Sequence, residues 1–307
     1  MSNSALVKRR WTKDRLERIS FILCCCIPPV IGWLVFYVYV NFSSFGMAFT
    51  DRNGTFTWNN FTRLWEALQN PNGELRLALR NTLLTFVINV CQFPFQVLVS
   101  YFLYKKTPGH KIYRVLFFLP GMIIGVASTM ILQRLLGVNG FIAKGVQEAM
   151  NLEYVPELLA DERFANITVL LHMVWIRFAG ALIIWGGTFS RIPPEVLEAG
   201  RIDGVNWWQE FTKITVPLIW PTVALQMILQ ICGIFSASGS VFLLTKGQFG
   251  TMTLSCWMYL QVYGVSAGYS NSLNYMAAVG VVMSVIAVIL SRVVRNMTDK
   301  AFSNVEF

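Results

Sequence analysis

The chain has 307 residues, 55% of them hydrophobic and only 13% charged, which excludes an ordinary soluble domain and points to a membrane protein. Two His and 16 acidic residues leave little material for a metal centre or a soluble active site, so no metal is expected. The formal net charge of +9 would suit a nucleic-acid partner only if the basic residues shared one surface, and their distribution along the chain shows another origin.

Residues 1–18 carry Lys8, Arg9, Arg10, Lys13, Arg15 and Arg18 ahead of the first apolar run. A secretory leader opens similarly, but 19–40 is longer than its usual apolar core and no A-x-A site follows. The run is read as a retained first transmembrane helix over 19–41, kinked at Pro28–Pro29. A mixed polar loop follows over 42–77. Five more spans are expected over 78–104, 112–136, 164–189, 218–245 and 273–294, making a core of 78–295 before a short tail, 296–307. Pro120–Gly121 is expected to break the third span. The turn 105–111 (KKTPGHK) is short and basic, while 137–163 and 246–272 read as polar loops. Cys24, Cys25, Cys26, Cys91, Cys232 and Cys256 all lie in apolar runs, where inert thiols are the default. The fold class expected is an all-α integral membrane protein with six transmembrane helices.

Six spans return the C-terminus to the face of the N-terminus. That face holds the six basic residues of the N-terminal tail with Lys105, Lys106, Lys111, Arg114, Arg191, Arg201, Lys213, Arg292, Arg295 and Lys300. The other face holds Arg52, Arg63, Arg76, Arg134, Lys144, Arg163 and Lys246. The bias puts both termini and the central loop in the cytoplasm. The surplus positive charge therefore reports topology, and no nucleic-acid partner is implied.

The central loop, IPPEVLEAGRIDGVNWWQEFTKITVPLIWP over 192–221, is the most informative stretch. Pro193 and Pro194 suit a helix start, where a missing N–H costs nothing. A short helix can run from Glu195 to Ile202, with the small pair Ala199–Gly200 leaving room for close contact. Asp203–Gly204 is a turn signal, with Gly supplying positive φ. Asn206 and Gln209 form a variant capping box for a second helix. Its apolar face takes Trp207, Trp208, Phe211 and Ile214, while Glu210 and Lys213 point elsewhere. Pro217 and Pro221 are expected to disturb that helix.

This stretch resembles the EAA loop of ABC-importer permeases, in which E-A-A is followed by a Gly and later by I-x-L-P. Glu198, Ala199, Gly204, Ile214 and Pro217 fit the pattern; Gly200 stands for the second Ala and Val216 for the Leu. Asn81–Thr82, the run RVLFFLP over 114–120 and FLLTKG over 242–247 resemble further segments of the carbohydrate-uptake, maltose-transporter-like branch. The Lys246–Gly247 turn departs from that branch's Gly-Gly-Pro continuation. The resemblance implies a type I importer permease with a cytoplasmic coupling helix, in a bacterial plasma membrane. It also implies a second homologous permease subunit, two ATPase subunits, an extracytoplasmic solute-binding protein and a sugar substrate. Coupling to the ATPase would fall to Glu198, Ala199, Gly200, Asp203, Gly204, Phe211, Ile214 and Pro217.

No G-x-x-x-x-G-K-[ST] loop occurs, so no cofactor is expected on this chain and ATP would be bound by partner subunits. A solute path needs polar groups within spans. The choice falls on Gln230, Ser236 and Ser238, with Asn274 and Tyr275; Gln226, Ser240, Gln133, Asn89 and Gln92 are further polar residues within spans. His172 and Arg177 could contact an anionic solute, but pairing with a neighbouring helix or snorkelling is the preferred reading. Alternatives are a permease for glycerol phosphate or another polar solute, a secondary transporter, and a membrane transferase. Span interiors free of Asp and Glu weigh against the secondary transporter, and Asn206 in place of the Ala-Arg expected after Asp203–Gly204 weighs against the transferase. Reporter fusions after Arg295 and after Lys144 should read cytoplasm and exterior respectively; the reverse pair would overturn the topology.

Overall fold

The computed structural model describes residues 3–137, 139–155, 157–236, 239–263 and 273–301. The elements described are helical, in the order α1 (Asn3–Trp33), a π-helical stretch (Leu34–Tyr39), α2 (Val40–Ala48), α3 (Asn59–Gln69), α4 (Glu74–Tyr104), α5 (His110–Met122), α6 (Gly125–Leu136) and α7 (Phe141–Ala149). There follow α8 (Glu162–Phe189), α9 (Pro194–Ile202), α10 (Trp207–Gln209), a second π-helical stretch (Glu210–Thr215) and α11 (Val216–Cys232). A 3₁₀ turn (Ile234–Ser236), α12 (Gly239–Thr245), α13 (Leu254–Tyr263) and α14 (Leu273–Ala301) complete them. Among the described residues five helices are long and apolar enough to cross a membrane: Glu17–Ala48, Glu74–Tyr104, Glu162–Phe189, Trp207–Cys232 and Leu273–Lys300. The pair α6–α7, bent by 45°, makes a sixth if it counts as one span.

Two compact units divide the chain: 1–64 with 272–281, and 65–271 with 282–307. In the first, Asn60 donates its amide to the carbonyls of Ala48 and Thr50, both at 3.0 Å, and aromatic rings of Phe49, Trp58 and Phe61 gather beside it. The helix passes through Pro28 and Pro29 without interruption, and the widened turn comes later, at Leu34–Tyr39.

In the second unit α4 is the axis. Asn81, Thr85, Asn89, Gln92, Gln96 and Ser100 recur every three or four residues along it, and all are buried. Such a stripe on one face of a span must find partners within the protein. Asn81 donates to the carbonyls of Gly250 and Met252 at 2.7 and 2.9 Å, and Thr82 Oγ1 accepts the Leu254 N–H at 2.9 Å. This adjacent pair therefore holds the turn ahead of α13, with Gly247 and Gly250 at positive φ within it. Gln92 donates to the Val174 carbonyl of α8 at 2.7 Å, while Thr85 and Ser100 bond back to their own helix.

The third and fifth expected spans differ from expectation. The former is split at Ile123–Ile124, both with extended ψ, and not at Pro120–Gly121, and the bent candidate span pairs α6 with α7 instead of with α5. Gly121 serves packing: a Cβ there would lie 2.7 Å from Ala179 Cβ, so its absence lets α5 close on α8. The fifth begins earlier, at Trp207, and ends at Gly233. Pro217 does not stop it. Having no N–H for the Lys213 carbonyl, and a ring that would crowd it, Pro217 is preceded by the wider turn over Glu210–Thr215. The loops read as polar carry α3, α7 and α13.

Candidate functional site

The loop between α8 and α11 is built from short, locally specified pieces. Pro194 occupies the first turn of α9. At its far end Val205 N–H reaches the Gly200 carbonyl and Gly204 N–H the Arg201 carbonyl, both at 3.1 Å, with Gly204 at φ +77°. This is the left-handed helix stop that glycine makes without strain. The chain restarts at once: Gln209 N–H donates to Asn206 Oδ1 at 2.8 Å and Asn206 N–H to Gln209 Oε1 at 3.0 Å, the reciprocal cap expected from the sequence. The two limbs then close on each other at Gly200. A Cβ there would meet Ile214 Cδ1 at 2.6 Å and Val205 Cγ2 at 3.2 Å.

The underside of the loop is joined to the bundle. Leu197 and Phe211 share one core with Phe93, Val97 and Tyr101 of α4, Trp185 and Phe189 of α8, and Ile219 and Val223 of α11. Glu210, expected to point away from the apolar face, is instead only 3% exposed. The Lys105 ammonium donates to Glu210 Oε2 at 2.6 Å, and Tyr101 O–H donates to Glu210 Oε1 at 3.1 Å. Burial forces this arrangement, since a carboxylate shielded from water needs a cation and a donor beside it. A single-residue reading could not find the pair, because its partner lies 105 residues away.

The upper side is free. Glu198, Ala199, Asp203 and Gly204 are exposed, and nothing lies within 4 Å of a Cβ placed on Gly204. Gly200 differs from its neighbour: it is buried against its own loop, so its small size serves the loop's internal packing. Ile214 and Pro217 are half-buried. Ile202, passed over in the sequence, is 86% exposed at the end of α9; an apolar residue so placed between charged neighbours was the available signal.

Further along the spans, a polar cavity of about 170 Å³ opens between α4, α8 and α11. Gln230 lines it with Asn89, Gln92, Gln96, Arg177 and Gln226. A larger, apolar cavity of about 740 Å³ lies between α4, α11 and α14, and Gln230 borders it too. Ser236 sits exposed on the 3₁₀ turn and lines neither cavity. Ser238 lies outside the described residues. Asn274 and Tyr275 belong to the first unit. There Asn274 donates to the Thr50 carbonyl at 2.8 Å, and Tyr275 is buried with the Arg63 guanidinium 4.9 Å above its ring. Both groups thus have partners within the first unit. His172 is buried with both ring nitrogens unpartnered.

The family described as "Binding-protein-dependent transport system inner membrane component" matches residues 76–303. The chain belongs to this family. The permease is 24% identical over 273 residues to the multiple sugar-binding transport system permease of Streptococcus mutans, covering 86% of this chain and 90% of the relative. It is 23% identical to the lactose transport system permease of Rhizobium radiobacter, covering 89% and 88%. The crystal structure of a bacterial ABC transporter that imports the acidic polysaccharide alginate has a chain matching with a TM-score of 0.77 at 19% identity, over 95% of this chain and 99% of that one. That likeness is one of fold, and the fold is that of an ABC-importer permease. The matched residues run from the start of α4 to the end of α14 and so include the loop and both cavities.

Two substitutions test how the permease holds its loop. Glu210→Ala would strand the Lys105 ammonium, with a stability loss of about 3 kcal/mol, at the lower end for a buried pair because Lys105 keeps some solvent. The double variant Lys105→Met, Glu210→Met should recover most of that loss, measured as the inactivation temperature of the detergent-solubilised protein. Gly200→Ala should cost little, because the flexible tip of Ile214 can move aside and Val205 Cγ2 need give only a few tenths of an ångström. Gly200→Leu should instead separate the two limbs and lower the yield of folded protein, read by size-exclusion chromatography.

Proposed function

We propose that this permease is one of two homologous membrane subunits of a binding-protein-dependent ABC importer for a sugar or oligosaccharide. The observation that carries this reading is the two-sided loop over 192–217. Its upper face, with Glu198, Ala199, Ile202 and Asp203, is open to a partner; its lower face is locked to α4 and α8 by Leu197, Phe211 and Glu210. A force on such a loop reaches helices that line the polar cavity.

ATPase subunits would receive the upper face. Ile202 offers an apolar contact, and Glu198 and Asp203 offer acceptors to basic or N–H groups. ATP-driven closure would then move α9 with the ends of α4 and α8 and turn the cavity from one side of the membrane to the other. One loop per chain and two ATPases ask for a second permease. The sugar class is supported by the printed names of the relatives and by the amide-rich cavity, since Asn and Gln match hydroxyl groups in both donor and acceptor roles. The basic-residue bias supports cytoplasmic termini and a cytoplasmic loop.

Gly204→Trp forces a bulky residue into positive φ on the exposed side of the loop, where nothing lies within 4 Å of its Cβ and a partner would dock. In the reconstituted importer it should abolish sugar-stimulated ATPase activity while membrane levels stay near normal. Ile202→Asp should weaken pull-down of the ATPase subunit, and Glu198→Ala should be milder. Retention of both ATPase binding and transport by Gly204→Trp would mean that the loop does not couple.

A further inference from the structure

Arg177 stands halfway along α8, and it lines the polar cavity. Among the described residues no carboxylate pairs with it. Its side chain is exposed on this chain, and a guanidinium at that depth must face a cavity and find an acceptor there, an anion or backbone carbonyls.

The amides around it ask for a different partner. Gln92 is 8% exposed, and its Nε2 donates to the Val174 carbonyl. That bond fixes which way the amide lies and leaves Oε1 as a pure acceptor. This oxygen is buried and has no partner, and the same is true of Gln230 Oε1 across the cavity on α11. Two orphaned acceptors call for hydroxyl donors, while the guanidinium calls for an anion.

No simple occupant meets both demands. A carboxylate inserted by a neighbouring subunit would match Arg177 but would add acceptors to acceptors. A neutral sugar would match the glutamines and offer the cation hydroxyl oxygens but no countercharge. A phosphate monoester carries close to two negative charges against one positive. A sugar ring bearing one carboxylate satisfies all three groups, and a planar guanidinium suits a carboxylate's two oxygens. The volume of about 170 Å³ is of the order of one ring, so a chain would pass through it residue by residue.

We propose that this cavity selects acidic saccharides, with Arg177 binding the carboxylate and Gln92 and Gln230 accepting hydroxyl hydrogens. This rests on the importer reading above and names its substrate class.

The test uses the complete importer in proteoliposomes, with its binding protein, partner permease and ATPases. The probes are hexuronic-acid di- and trisaccharides, each beside its methyl ester, the corresponding neutral sugars, and a hexose phosphate. The acids should stimulate ATP hydrolysis and uptake well above their esters. Arg177→Gln should cut the acid response about tenfold or more, and Arg177→Lys should recover part of it. Both complexes carry the same binding protein, so any such change belongs to the permease. Should Arg177→Gln fail to assemble by pull-down, the wild-type acid-to-ester ratio and Gln92→Leu decide. That variant keeps the cation and should weaken the acid response several-fold while preserving the preference for acid over ester. A response confined to neutral sugars or to phosphates, or an assembled Arg177→Gln with a wild-type acid response, overturns the acidic-saccharide site and leaves the importer reading standing. No response to any saccharide overturns both.

Discussion

The carboxylate of Glu210 cannot sit in a core without a cation, and that requirement ties the loop to the bundle. Lys105 supplies the charge from the end of α4, and Tyr101, one turn earlier, supplies a hydroxyl to the second oxygen. Apolar contacts alone would let α9 and the π-helical turn slide over the helix ends. A paired charge has one low-energy position, because any slip leaves an ion buried without a partner. The loop is therefore held to the end of α4 by a charge as well as by apolar packing, as the proposed coupling requires.

α4 carries three separate duties along one polar stripe. At one end Asn81 and Thr82 hold the turn before α13. In the middle Asn89, Gln92 and Gln96 face the polar cavity. At the other end Tyr101 and Lys105 grip the loop. Each polar group in a span must be satisfied by protein or by what fills a cavity, so the stripe could not be tolerated on a lipid-facing side. Gln96, which lines the cavity, lies about one and a half turns along α4 from Tyr101, which holds Glu210. That proximity makes the coupling reading mechanically economical: no relay through a second element is needed.

Small residues act here mostly by what they omit. Gly200 lets the two limbs of the loop meet, and Gly121 lets α5 close on α8. Neither position has a positive φ, so their role is space. Gly204 is the opposite case, with open space around it and a left-handed backbone that a bulky residue would strain.

The sequence by itself determined the features whose physics is local. Long apolar runs marked the spans, because hydrocarbon demands about twenty such residues in a row. The helix stop at Gly204 and the cap between Asn206 and Gln209 were legible because each involves atoms only a few residues apart. Tertiary structure alone decided the rest. It placed Glu210 beside Lys105, turned Gly200 inward, carried the helix across Pro217 and moved the break of the third span to Ile123–Ile124. It also separated Gln230, which faces a cavity, from Ser236, which does not, and committed Asn274 to the backbone at Thr50. Periodicity tells which residues share a helix face. It does not tell which neighbour that face will meet, and a buried charge, an orphaned amide or a missing Cβ acquires its meaning only from that neighbour.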